Sequence, residues 1–445
     1  MALQLPPHRA YAANAGSMVV QVIQVTLSMS APKYKWADGA TLEDHSRRKH
    51  KILREYFYQY LVVRCQIPQQ AKFRLAVIDG FAGGGRYNCG AAGSPIIFIE
   101  ELKNAVNAVN LDRLTQGLGA IEIECLLLLN DESAEAVEAL KTNVAPLLGD
   151  IKENCDKLHL QVEFLNVEFE AAYPTIQKYL AQGSYRSVIF NLDQCGHSHV
   201  AHATILDMMR SYPSAEIFYT FAVASLLAFL RKSEPQAYAS QLGAVGVNET
   251  DLLSLQGALN DNAWLGVAER LVFQVYKNCA PFVSPFSINN PSGWRYWLIH
   301  FANNYRARQV YNNILHDNSS AQAHFGRSGL NMLAYDPSHE EGSLYLFGDN
   351  DRAVAKGQLL EDIPRLVSES GDALIIGDFY SSIYNATPAH ADDVHAAMIE
   401  NPDIEVITVN GGERRKPNTI TVNDIIKIKK QRSFFPVFLD SNKTK

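Results

Sequence analysis

Between residues 75 and 221 the chain repeats one unit: a short apolar run, then a segment with apolar residues at helical spacing. The runs cover 75–78, 123–129, 160–165, 187–192 and 216–221. Helical patterns at 95–109, 132–143, 171–181 and 199–211 separate them. Strands that are apolar along their whole length must be covered on both faces. A helix after each strand supplies that cover and brings the next strand in parallel. The expectation is an α/β fold with a mostly parallel sheet.

The flanks extend this reading. Thr41 and Asp44 offer caps for a helix running to about Arg64, with Ile52, Leu53, Tyr56, Phe57, Tyr60 and Leu61 on its buried face. Its other face carries Arg47, Arg48, Lys49, Lys51 and Arg54. Such a run reads as a solvated face, or more sharply as a phosphate-facing patch. Residues 226–282 are mainly helical and break the rhythm, as an insertion would. A sixth strand is expected at 294–301 and a helix at 306–316. The tail differs: a helix at 352–368, then one from Thr387-Pro388 to about Asn401 with Thr387 as cap, then strands at 405–409 and 418–422 around Asn410-Gly411-Gly412. Helices followed by a basic hairpin make a winged-helix pattern. The expected division is an extension at 1–32, an α/β domain at 33–325 and a winged-helix domain at 326–445.

Composition excludes several classes. With 445 residues, 47% hydrophobic, 20% charged and a net charge of −7, the chain is neither disordered nor a wholly basic nucleic-acid coat. Its longest apolar stretch, 217–230, falls short of the roughly 20 residues of a spanning helix, so no membrane association is expected. The six cysteines include no CxxC pair, so neither a zinc site nor a disulfide framework is expected, and the setting reads as cytoplasmic.

The strongest chemical signal is the turn after the first strand, Asp79-Gly80-Phe81-Ala82-Gly83-Gly84-Gly85. It has the form D-x-F-x-G-x-G, seen in many methyltransferases that use S-adenosylmethionine. An acid closes the strand, and glycines let backbone approach a ligand at the carboxyl end of the sheet. Asp79, Gly80, Phe81, Gly83 and Gly85 are therefore candidate cofactor residues. Asp131 follows the second strand, where a carboxylate accepts both ribose hydroxyls of a nucleoside. Asn166 follows the third, as an adenine contact or a turn residue. The fourth strand ends Asn191-Leu192-Asp193-Gln194-Cys195-Gly196. Asn191 and Asp193 are the candidate catalytic residues, set to orient a methyl acceptor. Cys195 reads as a small semi-buried thiol.

A basic cluster marks the tail: Arg414, Arg415, Lys416, Lys427, Lys429, Lys430 and Arg432 stand against Glu413 and Asp424. Phosphate contacts of this kind bind nucleic acid with steep salt dependence. The preceding helix carries Asp392 and Asp393, so the hairpin is the expected contact.

Beyond the turn, the chain resembles the three-Cys-motif partner proteins of bacteria. The resemblance rests on Lys35-Trp36-Ala37-Asp38-Gly39, His45 with Lys49, Ile78-Asp79-Gly80-Phe81-Ala82-Gly83 and Gly93-Ser94-Pro95. It continues in Leu298-Ile299-His300-Phe301, Gly329-Leu330-Asn331-Met332-Leu333 and Thr387-Pro388-Ala389-His390. Glu400-Asn401-Pro402-Asp403 and Gly411-Gly412-Glu413-Arg414-Arg415-Lys416 complete it. It implies a Rossmann-like class I methyltransferase domain, a C-terminal winged-helix domain and a partner that carries the three-Cys motif. Where such proteins commonly show Asp-Pro-aromatic-Gly, this chain has Asp193-Gln194-Cys195-Gly196. The expected function is methyl transfer from S-adenosylmethionine to nucleic acid. The alternatives are a non-catalytic binding module on the same fold and transfer to a peptide or small molecule.

Overall fold

The computed structural model describes Trp36 and residues 40–194, 199–222, 264–288, 296–334 and 344–429. The expected extension, most of the expected insertion, Cys195, Lys430 and Arg432 lie outside these residues.

The alternating region folds as the periodicity dictates. Helix α1 (Asp44–Arg64) precedes β1 (Lys72–Asp79), α2 (Ser94–Thr115), β2 (Glu122–Asn130), α3 (Ala134–Asn154), β3 (Leu158–Leu165), α4 (Phe169–Gln182), β4 (Ser187–Leu192), α5 (His202–Ser211) and β5 (Ser214–Ala222). Within β1, Leu75 and Val77 join one core with α1 and α2, while Ala76 and Ile78 join the other with α4 and α5. That is period-two alternation between two helical layers. The six expected buried residues of α1 are all buried.

After β5 the described chain continues as α6 (Trp264–Tyr276), β6 (Phe282–Ile288), β7 (Tyr296–Ala302), α7 (Tyr305–Asp317), β8 (Gln322–Phe325) and β9 (Leu344–Tyr345). The large sheet runs β3-β2-β1-β4-β5-β7-β6-β8-β9. Neighbours from β3 to β5 are parallel, and β7 is antiparallel to both β5 and β6. Strand β6 is missing from the sequence expectation, which counted 294–301 as the sixth strand. Its Pro285 argues against a central strand. The sheet accepts it because β8 pairs with β6 only at Ser287 and Ile288, so one edge is open at position 285.

The remaining elements are α8 (Asp349–Glu369), β10 (Ala373–Ile375), α9 (Ile376–Ile383), α10 (Ala391–Glu400), β11 (Ile404–Ile407) and β12 (Ile425–Ile428). A second, antiparallel sheet runs β10-β12-β11. Two expectations are corrected here. Helix α10 begins at Ala391, not at Thr387-Pro388. The buried Thr387 and Ala389 carbonyls accept hydrogen bonds from Asn312 at 3.1 and 3.2 Å, so this stretch is a strap onto α7. The ring of His390 caps α10, accepting from Asp392 N–H at 3.0 Å. The returning strand is β12, not 418–422. There Pro417 opens a short helical turn, and the Thr421 N–H bonds the buried Asp424 carboxylate at 2.7 Å.

Candidate functional site

Strand order reverses between β1 and β4, so the loops leaving their carboxyl ends diverge and open a crevice. Asp79 and Asn191 are register partners at that point. The glycine turn is pinned on both sides: Gly80 N–H donates to the Asn191 carbonyl and Ala82 N–H to the Asn130 carbonyl, each at 2.9 Å. Asp131 completes the clamp, accepting from the Gly83 and Ser133 N–H groups at 2.9 Å. The Asn166 amide donates to the Asp131 carbonyl at 2.9 Å. Asp79, Gly80, Gly83, Asp131, Asn166 and Asn191 thus form one hydrogen-bonded constellation.

The glycines are required by geometry. Gly83 and Gly85 have φ of +58° and +79°, in the left-handed region. A Cβ on Gly80 would lie 2.7 Å from the Phe169 ring. Phe81 leans on Phe169, centroids 5.7 Å apart. Gly85 packs toward Leu140 of α3 and accepts from Gly93 N–H at 2.7 Å, which makes it a structural end of the turn.

Asp79 is fully buried. Its Oδ1 accepts from the Asn191 amide at 3.0 Å, while its Oδ2 has no hydrogen-bond partner among the described residues. Burial pushes its carboxyl up to about 7, against the pull of Ser94 and Asn191. Asn130 Oδ1, Thr220 Oγ1 and His50 Nδ1 are likewise buried without partners among the described residues. Unpaired buried polar groups are costly, and four at one end of a sheet mark where a polar ligand would satisfy them. An orphaned carboxylate oxygen suits a ligand ammonium, and the exposed edge of Asn166 suits a nucleobase.

Beside Asp79 lies a small cavity of about 10 Å³, room for about one water, lined by Lys49, His50, Leu53, Asn191, Asp193, Phe218, Thr220 and Leu298. Asn191 and Asp193 are therefore brought together on one cavity wall. Lys49, from α1, ion-pairs with Asp193 and is itself buried. Burial would push the Asp193 carboxyl up, but the Lys49 ammonium more than reverses this and holds it below the usual range. Burial, aided by the neighbouring Lys49 and Arg54 cations and opposed by Asp193, drives His50 down to about 4, so its imidazole is neutral at physiological pH.

Lys49 is the residue that sequence reasoning misplaced. The basic face of α1 divides: Arg47 and Lys51 are exposed, as a solvated face would have them, whereas Arg48 pairs with Asp44 at 3.0 Å, Arg54 with Glu100 at 2.7 Å and with Glu101, and the buried Lys49 with Asp193. The signal was present. Lys49 precedes Ile52, Leu53 and Tyr56 by three, four and seven positions, which places it on the buried stripe.

Gln194 holds the loop beyond. Its amide donates to the Tyr219 hydroxyl at 2.7 Å, and its Oε1 accepts from the His199 and Val200 N–H groups at 3.0 and 3.2 Å.

The basic tail divides. Arg414 turns inward to a bidentate pair with the buried Asp424, at 2.9 and 3.1 Å. Lys427 pairs with Glu405 at 3.1 Å across β11 and β12. Lys429 is half-buried, and its N–H bonds the Asp403 carbonyl at 2.8 Å. Arg415 and Lys416 are exposed.

No protein-family model matches the chain, and no curated protein is significantly similar to it. No described helix is long and apolar enough to cross a membrane.

Proposed function

We propose that the chain is an S-adenosylmethionine-dependent methyltransferase of the Rossmann-like class that acts on nucleic acid together with a three-Cys-motif partner protein. One observation carries the cofactor half. A buried carboxylate with an unpartnered oxygen closes β1 beside a left-handed glycine turn, at the point where strand order reverses. The antiparallel β7 between β5 and β6 supports the methyltransferase class. For the tail, the order helix–strand–helix–helix–strand–strand, with the last strand central in the sheet, supports the winged-helix reading. The exposed Arg415 and Lys416 support phosphate contact.

The cofactor, when bound, supplies an activated methyl group. In this reading Asp79 receives its ammonium, the glycine turn its methionyl part, Asp131 the ribose and Asn166 the adenine edge. Asp193, ionised because Lys49 holds it so, accepts a proton from the methyl acceptor, and Asn191 keeps Asp79 aligned. The rest of the work is positioning.

A second reading has its own observation. Lys49 already engages the Asp193 carboxylate, and no proline follows it, which favours a binding module that keeps the fold without transfer. Calorimetry with S-adenosylmethionine tests the cofactor half, and absence of binding removes it. Labelled cofactor offered DNA, RNA and protein fractions tests transfer. Label should enter a nucleic-acid fraction and be lost in Asp193→Ala with cofactor affinity retained. Binding without transfer to any fraction selects the binding module.

A further inference from the structure

The large sheet ends differently on its two sides. Strand β9 closes one side and is two residues long. Strand β3 closes the other with eight residues, paired to β2 alone among the described strands. Long edges invite pairing with another chain, and proteins blunt them with proline, bulges, short length or charge. Strand β3 has no proline, and its register against β2 runs unbroken from Leu158 to Leu165. Its ionisable side chains are His159, a nitrogen donor, and Glu163, a carboxylate acceptor. The bonds to β2 decide which backbone groups are free. The Lys157 carbonyl accepts from Ile123 N–H at 2.9 Å and the Leu165 carbonyl from Asp131 N–H at 3.3 Å. Successive residues of a strand turn to opposite sides, so the odd-numbered ones face β2, and Leu158, Leu160, Val162 and Phe164 turn their backbone groups outward. The side chains of Leu160, Val162 and Phe164 pack on the core shared with α3 and are only half-buried.

We propose that β3 is a self-pairing edge: a second copy of the chain docks antiparallel against it, about a two-fold axis at Gln161, and joins the two large sheets into one. Leu160 then faces Val162 of the second copy and exchanges both backbone hydrogen bonds with it. Leu158 faces Phe164 of the second copy. On the other side of the sheet His159 meets Glu163 of the second copy, donor against carboxylate. A two-fold axis allows only registers that set outward residues against outward ones. The register about Leu160 runs off the start of the strand. The register about Val162 sets Glu163 against Gln161 and leaves His159 opposite Leu165. The axis at Gln161 uses the strand from Leu158 to Phe164 and matches apolar with apolar and polar with polar. One isologous contact thus covers the half-buried row on both copies. The inference is independent of the cofactor reading.

The test is sedimentation velocity on the full chain over a concentration series, together with thiol cross-linking. Wild type should dimerise as concentration rises. Val162→Pro removes an outward N–H, which an edge strand tolerates in the free chain. It should weaken the dimer at least about a hundredfold with circular dichroism unchanged. Residue 161 lies on the axis as a non-hydrogen-bonded pair, where Cα atoms come about 4.5 Å apart, within disulfide reach. Gln161→Cys should therefore give a covalent dimer on mild oxidation. Glu163→Cys should not, nor should wild type with its exposed Cys89. Wild type that stays monomeric overturns the proposal, and so does a dimer that survives Val162→Pro in a folded chain. If Val162→Pro does not fold, the exposed position 161 decides. No cross-link in a dimeric Gln161→Cys, or an equal one in Glu163→Cys, overturns the register and the proposal with it.

Discussion

The carboxyl end of the large sheet and the small C-terminal sheet both concentrate polar residues, with opposite outcomes. At the large sheet, Asp79, Asn130, His50 and Thr220 are buried and each leaves one polar atom without a partner among the described residues. At the small sheet, Arg414 and Asp424 satisfy each other, as do Lys427 and Glu405. A buried orphan costs stability and so points to a ligand. A paired charge near the surface points to the fold. Charge density alone would have ranked the two regions the other way round.

The comparison can be broken at its strongest point first. Gly83→Val forces a branched side chain into φ +58° and into the Trp36 ring. Cofactor binding should fall at least about a hundredfold in a chain that still folds, as read by calorimetry and circular dichroism. Unchanged affinity would separate the turn from the ligand.

Asp79→Asn sharpens the stability side. The folded carboxyl sits near 7, above its ordinary 3.8. A raised carboxyl favours the protonated folded form, so its contribution is lost as pH rises from about 4 through 7. The amide carries no such loss. The variant should be more stable than wild type at pH 8, by on the order of 3 kcal/mol, and equal to it below pH 4, in denaturant titrations. A bound ligand ammonium would favour the ionised form, so wild-type cofactor affinity should rise with pH through about 7. A flat profile would detach Asp79 from the ligand.

Lys49→Met tests the ion pair. The Asp193 side chain is 26% exposed, so breaking the pair should cost about 2 kcal/mol, less than for a fully buried pair. The Asp193 carboxyl is held low in the folded chain, so its contribution is present above the unfolded value and lost as pH falls through the folded one. The gap between variant and wild type should therefore shrink in acid. Lys49→Met combined with Asp193→Asn should recover part of the loss at pH 7. No recovery would mean that Lys49 acts through packing.

The smallest effects distinguish neighbours in the tail. Arg414→Ala should lower the thermal midpoint, because it leaves the buried Asp424 carboxylate without its guanidinium. Arg415→Ala with Lys416→Ala should leave the midpoint unchanged. It should weaken binding to mixed DNA and RNA and reduce the salt slope by about 2. Equal slopes for wild type and the double variant would move the small sheet from nucleic acid to a protein partner.

Legibility followed distance along the chain. Strands β1 to β5 were readable because their signal is local: a run of apolar residues and a turn. Asp79, Asp131, Asn166 and Asn191 were findable because parallel strands deliver their carboxyl ends to one edge. Strand β6 was not, since whether Pro285 is tolerated depends on where β8 stops pairing. The Thr387 strap and the displaced return strand depend on partners far away or buried: Asn312 on α7, and Asp424 just before β12.

By itself, then, the sequence determined the layered α/β order, the turn that must be glycine and the carboxylates at the strand ends. These follow from side-chain period and backbone sterics within a few residues. The tertiary structure decided which charges are free and which are spent. Lys49 meets an acid 144 positions away, and Arg414 meets one behind its own loop. Coulomb energy and desolvation depend on separation in space, which spacing along the chain does not encode.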